Sequence, residues 1–357
     1  MTENTENQAE EVAEFEPVER LQVRKCRLDD CLEKQQSQSI ATQDFGINAA
    51  DIKKCRDSGI HTVGQVLMAP SKVLLDIKGF SEAKVEKVRE AAAKMQGDGR
   101  KFKSGSDTLA ARANIIKITT GSKELDAVIG GGVETSALTE IFGEFRTGKT
   151  QLCHTLAVTS QLGRDMGGGA GKVVVIDTEG SFRVERVAEI AEKRFGLDPA
   201  AVLDNISYAR VHNHETQMSI VEHVAALIAD DDEPTRLVIL DSIMALFRVD
   251  FSGRGELADR QQKLNRHLAD LKKLAEEFNV AILIVNQVTA DPGGGVFVGA
   301  ETRKPVGGHV LAHASTTRLY FRKGKGDQRI CKVYDSPHMP EADATFAISE
   351  MGIVDAE

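Results

Sequence analysis

The sequence predicts an α/β fold in which a mostly parallel sheet forms the main domain and a small all-α domain precedes it. From Ile115 onward, strand-like apolar runs alternate with helical segments, which is typical of a parallel sheet covered on both faces. Earlier residues form short helical patterns broken by turns, and a glycine- and serine-rich stretch follows them. We therefore expect a disordered acidic tail at 1–20, a helical domain at 21–95, a linker at 96–114 and an α/β core at 115–357.

The composition is typical of a soluble protein from a reducing compartment. The chain has 357 residues, of which 41% are hydrophobic and 28% charged. No apolar run approaches the roughly 20 residues of a membrane helix, and the acidic N-terminus lacks the apolar segment of a secretory signal. Five scattered cysteines argue against a disulfide framework. The net charge of −9 is concentrated in residues 1–20, which carry seven acids and one arginine, so a basic groove elsewhere is not excluded.

The helical domain has the pattern of helix–hairpin–helix units. Asn48 precedes one helical run, and a second spans residues 63–68. A third helix is expected to end at Gly79, and Ser81 is expected to cap a fourth that begins at Glu82. Three lysines that could meet a phosphate lie nearby in the sequence, namely Lys72, Lys78 and Lys84. Contact with DNA and contact with another protein both remain open for this domain.

One large apolar side chain, Phe102, stands in the polar part of the linker. An isolated aromatic residue in a flexible segment usually anchors that segment to a folded surface. Docking onto the chain's own core and docking onto a neighbouring subunit both fit the composition.

Seven strands are predicted in the core, at residues 137–142, 172–177, 236–241, 281–287, 316–323, 328–334 and 344–349. The first four are rich in β-branched residues and end in polar ones. Ligands bind at the carboxyl ends of parallel strands. We therefore expect Asp177, Asp241, Gln287 and a glycine-rich loop after the first strand to form one site. The last three strands are closely spaced, which predicts antiparallel hairpins at one edge.

The glycine-rich loop fits the phosphate-binding pattern G-x-x-x-x-G-K-[ST], with a strand before it and a helix after it, as this motif requires. Its residues are Gly143, Glu144, Phe145, Arg146, Thr147, Gly148, Lys149 and Thr150. Backbone N–H groups and the positive end of the helix can surround phosphate oxygens. Lys149 can reach the β- and γ-phosphates, and the Thr150 hydroxyl can hold Mg²⁺. The motif therefore predicts nucleotide binding.

Four further side chains fit a site that hydrolyses a nucleotide. Asp241 could orient a water on Mg²⁺ opposite Thr150. Glu179 follows the second strand and is the candidate base that polarises the attacking water, with a solvent-facing turn residue as the alternative. Gln287 is a neutral amide that could sense the γ-phosphate, and Arg186 could stack its guanidinium on adenine.

Two glycine-rich loops predict a site for single-stranded DNA. Arginine binds phosphate, and an apolar or aromatic side chain can insert between bases. The loop at 248–256 and the helix after it supply Arg248, Arg254 and Arg260, and the loop at 288–306 supplies Phe297, Arg303 and Lys304. Loops as long as the second are usually functional or mobile. Two plain solvent loops are the alternative.

Together these motifs resemble the RecA-like DNA recombinases of eukaryotes, from about Phe45 to Gly352. The resemblance rests on segments that include FGEFRTGKTQL at 142–152, DSIMALFR at 241–248 and AHASTTR at 312–318. The segment FRVDFSGRGELA at 247–258 is most similar to the meiosis-specific (Dmc-type) branch. The segment DTEGSFR at 177–183 looks more like the general branch, so both branches stay open.

The resemblance implies a RecA-like P-loop ATPase core and a DNA-dependent ATPase. Such proteins self-associate into filaments or rings, coat single-stranded DNA, and exchange strands with homologous double-stranded DNA. ATP and Mg²⁺ then lie at subunit interfaces. Lys149 and Thr150 match the phosphate and Mg²⁺ residues, Glu179 matches the catalytic glutamate, and Gln287 matches the sensor. The resemblance also implies a nuclear location and recombination mediator proteins as partners.

The resemblance assigns further residues to DNA and to subunit contacts. Arg254 matches the first DNA loop, and the wedge of the second falls at Phe297 or Val298. His313 matches an interface residue that couples nucleotide to DNA. Asp335 and Pro337 belong to a segment that caps ATP from the adjacent subunit.

One segment departs from the family pattern. The polymerisation motif of the linker is Phe-x-x-Ala, and this chain has Phe102, Lys103, Ser104 and Gly105 there. The small contact of the alanine is lost, and glycine adds chain entropy to a segment that must become ordered on docking. We therefore expect a weaker or shifted subunit contact.

Two other functions fit the same core. A non-catalytic accessory relative would bind ATP and partner proteins, but such relatives tend to lose the N-terminal domain or the loop residues that this chain keeps. A ring-shaped helicase would couple hydrolysis to unwinding, and the match of the cap segment argues against it.

Overall fold

A computed structural model of the chain describes Val18 and residues 47–96, 102–253, 255–290 and 303–356. The chain divides into two compact units, Met1–Ser104 and Gly105–Glu357. Within the described residues, no helix is both long enough and apolar enough to cross a membrane. The predicted acidic tail, Cys26 and Cys31 lie outside these residues, except for Val18 in the tail.

Where the structure describes the first unit, four helices surround a small apolar core. They are α1 (Ala49–Asp57), α2 (Val63–Met68), α3 (Ser71–Leu75) and α4 (Glu82–Gln96). Asn48 caps α1 by accepting from the amide of Ala50, and Thr62 forms a capping box with Gln65 at the start of α2. These caps explain why the helices begin where the sequence predicts.

The third helix ends at Leu75, so the prediction that it reaches Gly79 is wrong. Ile77 leaves the helical path because its side chain is buried in the core, and its amide bonds to the Leu74 carbonyl. Gly79 has a φ of 86° in the turn that leads to α4. Lys84, one of the candidate phosphate contacts, pairs with Asp51 at 2.9 Å.

A helix, α5 (Gly105–Arg112), occupies part of the predicted linker. None of its residues is buried, and Leu109 is 73% exposed. Asp107 in its first turn and Arg112 in its last turn suit the helix dipole. Phe102, just before this helix, is fully exposed.

The second unit contains a large sheet whose strand order is β12-β11-β10-β9-β3-β7-β6-β4-β5. The strands of the unit are β1 (Lys117–Ile118), β2 (Val133–Glu134), β3 (Ala137–Gly143), β4 (Lys172–Asp177), β5 (Ile206–Arg210), β6 (Thr235–Asp241), β7 (Ala281–Ala290), β8 (Arg303–Pro305), β9 (Thr317–Lys323), β10 (Gln328–Asp335), β11 (Asp343–Ser349) and β12 (Gly352–Asp355). Strands β9, β3, β7, β6, β4 and β5 are parallel to their neighbours in this order. Strands β9 to β12 are antiparallel. Both predictions about strand direction are confirmed.

Strand β5 was not predicted because its sequence is too polar. Residues such as Ser207 and Arg210 are typical of turns or helices, yet the segment pairs with β4 at the end of the sheet. The short strands β1, β2 and β8 and the last strand, β12, were also missed. The second predicted DNA loop is shorter than expected, because Val288–Ala290 extend β7 and pair with β8.

Helices connect the strands and pack against the sheet. They are α6 (Lys123–Val128), α7 (Lys149–Thr159), α8 (Val184–Phe195), α9 (Pro199–Asp204), α10 (His214–Asp230), α11 (Ala245–Asp250), α12 (Leu257–Phe278) and α13 (Gly308–Ala314). A short 3-10 helix lies at Arg164–Met166. The cysteines Cys153 and Cys331 are free thiols buried in this core.

One carboxylate is completely buried in the middle of the sheet. Glu140 on β3 accepts from Nε of Arg318 on β9 at 2.6 Å, and from Nδ2 of Asn286 on β7 at 2.7 Å. The Arg318 guanidinium also lies against the rings of Phe142 and Tyr334, at 5.3 and 5.4 Å from their centroids. This buried ion pair joins three neighbouring strands through side chains as well as through the backbone.

The buried ion pair predicts an unequal pair of variants. Arg318→Met leaves the Glu140 carboxylate buried without its countercharge, so the free energy of unfolding should fall by about 3–5 kcal/mol. The double variant Glu140→Gln with Arg318→Met removes both charges and keeps an acceptor for Asn286, so it should recover most of that loss. Urea denaturation followed by circular dichroism measures both. A double variant no more stable than Arg318→Met would contradict the prediction.

Candidate nucleotide site at the strand ends

The carboxyl ends of four neighbouring strands meet at one edge of the sheet. Gly143 at the end of β3 pairs with Gln287 on β7, and Asp177 at the end of β4 pairs with Asp241 at the end of β6. The structure therefore brings together the residues that the sequence places at strand ends.

The phosphate-binding loop connects β3 to α7 through Gly148, whose φ is 100°. A Cβ on Gly143 would lie 2.1 Å from the Phe321 carbonyl oxygen, so the loop has no room for a side chain there. The Lys149 ammonium donates to the carbonyls of Gly143 and Glu144, at 3.0 and 2.7 Å. Burial lowers the pKa of Lys149. A phosphate anion within the loop would stabilise this buried cation, so the loop fits the nucleotide that the motif predicts.

The exposed side of the loop carries an aromatic residue and a cation. The Arg146 guanidinium lies 5.1 Å from the centroid of the exposed Phe145 ring. Arg329 of β10 donates to the Arg146 carbonyl at 3.3 Å. Thr147 bonds back to the Glu144 carbonyl at 2.9 Å. Hydrogen bonds within the loop and from β10 thus stabilise its conformation.

Two oxygen groups lie where a magnesium ion is predicted. The Thr150 hydroxyl donates to Oδ2 of Asp241 at 2.8 Å, and the Ser181 hydroxyl lies 3.5 Å from the same oxygen. Burial raises the pKa of Asp241 to about 6, although the Thr150 bond lowers it. In the described part of the chain, no cluster of three or more His, Cys, Asp or Glu could hold a metal. A hydroxyl and one carboxylate fit Mg²⁺, which keeps several waters and takes further oxygens from phosphates.

A chain of hydrogen bonds starts at the candidate base. Oε1 of the exposed Glu179 accepts from the Ser242 hydroxyl and from Nε2 of Gln287, each at 2.7 Å. Oε1 of Gln287 in turn accepts from Nη1 of Arg248 at 3.1 Å. The predicted base and sensor are therefore in direct contact. Arg248, which was predicted to contact DNA, donates to the sensor; its contact with DNA stays a prediction.

Sequence reasoning missed the part that Ser242 plays. Its backbone amide donates to the Thr178 hydroxyl at 2.7 Å, and this hydroxyl donates to the Ser242 carbonyl at 2.9 Å. These bonds fasten the end of β6 to the segment that carries Glu179. The available signal was a hydroxyl residue directly after Asp241 at a strand end.

Asp177 organises the turn that carries Glu179. Its carboxylate accepts from the amides of Glu179, Gly180 and Phe182, at 2.9, 2.6 and 3.1 Å. Burial raises the pKa of Asp177, but these backbone bonds outweigh that effect, and the net pKa is lowered. The carboxylate therefore shapes the turn.

Arg186 lies close to the helix that follows the phosphate loop. Its guanidinium donates to Gln151 at 3.2 Å and to the Glu350 carbonyl at 2.9 Å, and it also bonds to Glu189 and to the Ser349 carbonyl. These bonds occupy the edge of the guanidinium. Stacking of its face on adenine stays a prediction.

The predicted DNA loops are only partly described. Arg254, Phe297 and Val298 lie outside the described residues, and of Arg303 only the backbone is described, in β8. Arg260 is half-buried on α12, and Lys304 is exposed. The amide of Val306 donates to the Gln287 carbonyl at 3.0 Å, which joins the end of the second loop to the sensor strand.

The predicted subunit contacts lie on the surface of the second unit. Asp335, Pro337 and His313 are exposed, and the His313 ring stacks on His309 with centroids 6.1 Å apart. Tyr334, at the start of the cap segment, meets the Phe142 ring edge-on at 5.2 Å. Residues that another subunit covers are expected to be exposed in a single chain.

The chain matches the family model described as Rad51 over residues 111–356. It is 60% identical over 312 residues to the meiotic recombination protein DMC1 homolog of Glycine max, covering 87% of this chain and 89% of that protein. It is 53% identical over 315 residues to the meiotic recombination protein DMC1 of Saccharomyces cerevisiae, covering 88% and 93%. The DMC1/LIM15 homolog of Mus musculus is 53% identical over 315 residues, covering 88% and 92%.

The raised pKa of Asp241 predicts how stability changes with pH when no magnesium is present. In the folded protein the Asp241 carboxyl keeps its proton up to its pKa of about 6, whereas in the unfolded chain it loses this proton near the usual value of 3.8. This carboxyl therefore makes the free energy of unfolding fall as pH rises between the two pKa values. Asp241→Asn removes the effect and keeps an acceptor for Thr150. The variant should be more stable than the parent at pH 7, by about 3 kcal/mol.

Chemical denaturation of both proteins in EDTA, from about pH 3.5 to about pH 7.5, covers the interval between the two pKa values and measures the difference. Burial also lowers the pKa of His154 and His267 to about 4, but these groups are present in both proteins and cancel. A stability difference that does not change with pH would contradict the prediction.

Proposed function

The chain belongs to the Rad51 family, and we propose that it is an ATP-dependent DNA recombinase that assembles on single-stranded DNA and exchanges homologous strands in meiotic recombination. The hydrogen-bond chain from Glu179 through Gln287 to Arg248 gives this proposal its strongest support. It joins the candidate base of hydrolysis to the residues at which both predicted DNA loops begin. Such a connection suits a DNA-dependent ATPase better than a passive nucleotide-binding protein.

Each side chain at the strand ends has a part in the proposed hydrolysis. Lys149 and the loop amides would bind the phosphates, and Thr150 and Asp241 would hold Mg²⁺, the latter through water. When bound, Mg²⁺ neutralises charge on the phosphate oxygens. Glu179 accepts a proton from the attacking water and is itself oriented by Ser242 and Gln287.

DNA can influence this site through the sensor residue. Arg248 lies in the last turn of α11, just before the loop at 251–256, and Gln287 lies on β7, near the end of the strand that leads into the second predicted DNA loop. A DNA phosphate that attracts Arg248 competes with its bond to Gln287. Because Gln287 also donates to Glu179, such a change alters the position of the base. Hydrolysis then depends on DNA.

Self-association completes the proposed site. Three predicted contact residues are exposed, namely the cap residues Asp335 and Pro337 and the interface residue His313. They are therefore accessible to the nucleotide site of a neighbouring copy. Phe102 is fully exposed and is therefore available for a contact with another copy. Among the described residues no strand pairs with the outer edge of β5, so this edge is a natural place for added backbone pairing. We propose a filament, with a ring as the alternative assembly.

The cellular setting follows from the relatives named above. Their names refer to meiotic recombination, which favours the meiosis-specific branch over the general one. Homologous exchange requires double-stranded DNA as the second substrate, and we propose the nucleus, where chromosomal DNA lies, as the location. Recombination mediator proteins are proposed partners.

Strand exchange between a single strand and a homologous duplex, with ATP and Mg²⁺, tests the proposal. The parent should form joint molecules only with homologous DNA, and Lys149→Ala should form none because its phosphate contact is lost. Glu179→Gln keeps an acceptor for Ser242 and Gln287 but removes the base. It should still bind ATP and DNA, while DNA-dependent hydrolysis falls by about 10²- to 10⁴-fold.

Three outcomes would contradict the proposal. Binding of ATP and single-stranded DNA without exchange favours the accessory relative. Displacement of a duplex strand without homology favours the helicase. Hydrolysis by Glu179→Gln at the parent's rate would remove Glu179 from the mechanism.

The departure at Gly105 gives a separate prediction about assembly. A Cβ added to Gly105 meets nothing within 4 Å, and this backbone is not left-handed, so Gly105→Ala should fit. Alanine restores the small contact and should stabilise the start of α5 by about 0.5–1 kcal/mol. Filaments should then form at a several-fold lower protein concentration, as measured by sedimentation velocity and electron microscopy. Lys103→Ala is the matched control, and equal assembly of both variants would contradict the prediction.

A further inference from the structure

A histidine outside the nucleotide site contacts residues on both sides of the first predicted DNA loop. His214 is the first residue of α10, and its side chain is 11% exposed. The loop at 251–256 connects α11 to α12. The His214 ring lies among side chains from both of these helices and from the loop itself.

On the near side of the loop, His214 holds the end of α11. Oδ2 of Asp250 accepts from the His214 backbone amide at 2.8 Å and contacts Nδ1 of its ring at 2.7 Å. The His214 ring also packs edge-on against Phe251, the first loop residue, with centroids 4.6 Å apart. The backbone bond, followed by the ring bond, lowers the pKa of Asp250.

On the far side, the contact comes from α12. Nζ of Lys263 lies 3.4 Å from Nε2 of His214 and 4.8 Å from the centroid of the Phe251 ring. An ammonium group can only donate, so Nε2 must accept and Nδ1 must carry the proton that is donated to Asp250. Lys263 is also paired with Asp259 at 3.4 Å. In this tautomer the imidazole can make one bond to each side of the loop, and each bond uses a different ring nitrogen.

The loop between these contacts is short and carries its own bonds. The Gly253 amide donates to the Glu256 carboxylate at 2.7 Å, and the Glu256 amide donates to the Gly253 carbonyl at 3.2 Å. These bonds join Gly253 to Glu256 within the loop. They leave its orientation on the protein to be set by the residues at its two ends.

We propose that His214 is a positioning residue that fixes the separation and direction of the two ends of the loop at 251–256, and thereby prepares this loop to bind single-stranded DNA. The second part rests on the function proposed above. Binding to a loop that is already oriented loses less conformational entropy, so removal of His214 should weaken DNA binding without affecting the nucleotide.

A purely structural part for His214 is the competing explanation. Its ring lies 5.7 Å from the buried Phe247, so any substitution also disturbs packing. General destabilisation would affect nucleotide and DNA binding together. A positioning role predicts an effect confined to the loop and to DNA, and this difference decides between the two explanations.

Two measurements on His214→Ala test the proposal. Hydrogen exchange should become at least about tenfold faster at the amides of Gly253 and Glu256, but not in the second half of α12. The dissociation constant for a labelled oligo-dT strand, with ATP and Mg²⁺, should rise about tenfold, whereas that for nucleotide should not change. His214→Asn keeps a donor near the position of Nδ1 and should recover part of both effects.

His223→Ala is the matched control on the same helix, since that exposed ring bonds to the Ser219 carbonyl of its own helix. It should behave as the parent does. Unchanged loop exchange in His214→Ala overturns the proposal, as does equal weakening of nucleotide and DNA binding. If His214→Ala does not fold, the same comparison between His214→Asn and the parent decides. A parent protein that does not bind oligo-dT would instead overturn the proposed function, while loop exchange still tests the contact itself.

Discussion

The buried ion pair between Glu140 and Arg318 joins β3 and β7, two of the four strands whose ends form the candidate site, to their neighbour β9. Glu140 lies three residues before the phosphate loop, and its other partner, Asn286, directly precedes the sensor Gln287. A buried carboxylate is stable only where its partners meet it at short distance. A slip between these strands would therefore separate the charges, as well as move Gly143 away from Gln287. The ion pair is well suited to specify register, a use that buried charges have in other proteins.

Local signals were enough to predict most of the fold. β-Branched runs with polar ends located the central parallel strands, and the phosphate loop followed from its own spacing. Strand β5 could not be found in this way, because its place in the sheet depends on pairing with β4 and its sequence has no run of β-branched residues. The third helix of the first unit was predicted too long because burial of Ile77 outweighs local propensity.

The candidate site was predictable in its parts but not in its connections. The sequence placed Glu179, Gln287 and Arg248 near one edge of the sheet, but their order of contact depends on side-chain directions at three different strand and helix ends. Ser242 and His214 were missed for the same reason. Each acts on a partner distant in sequence, and neither belongs to a motif that local spacing reveals.

The bond between Arg248 and Gln287 has a thermodynamic consequence. If binding of DNA changes the nucleotide affinity through this bond, then binding of nucleotide must change the DNA affinity by the same factor. Conversion of ATP to ADP at Glu179 would then change the affinity of the loops for DNA. Release of the DNA would need no other part of the protein. Coupling of this kind typically amounts to about 1–3 kcal/mol. If the proposed coupling runs through this 3.1 Å hydrogen bond, the lifetime of a complex with DNA depends on whether its nucleotide has been hydrolysed.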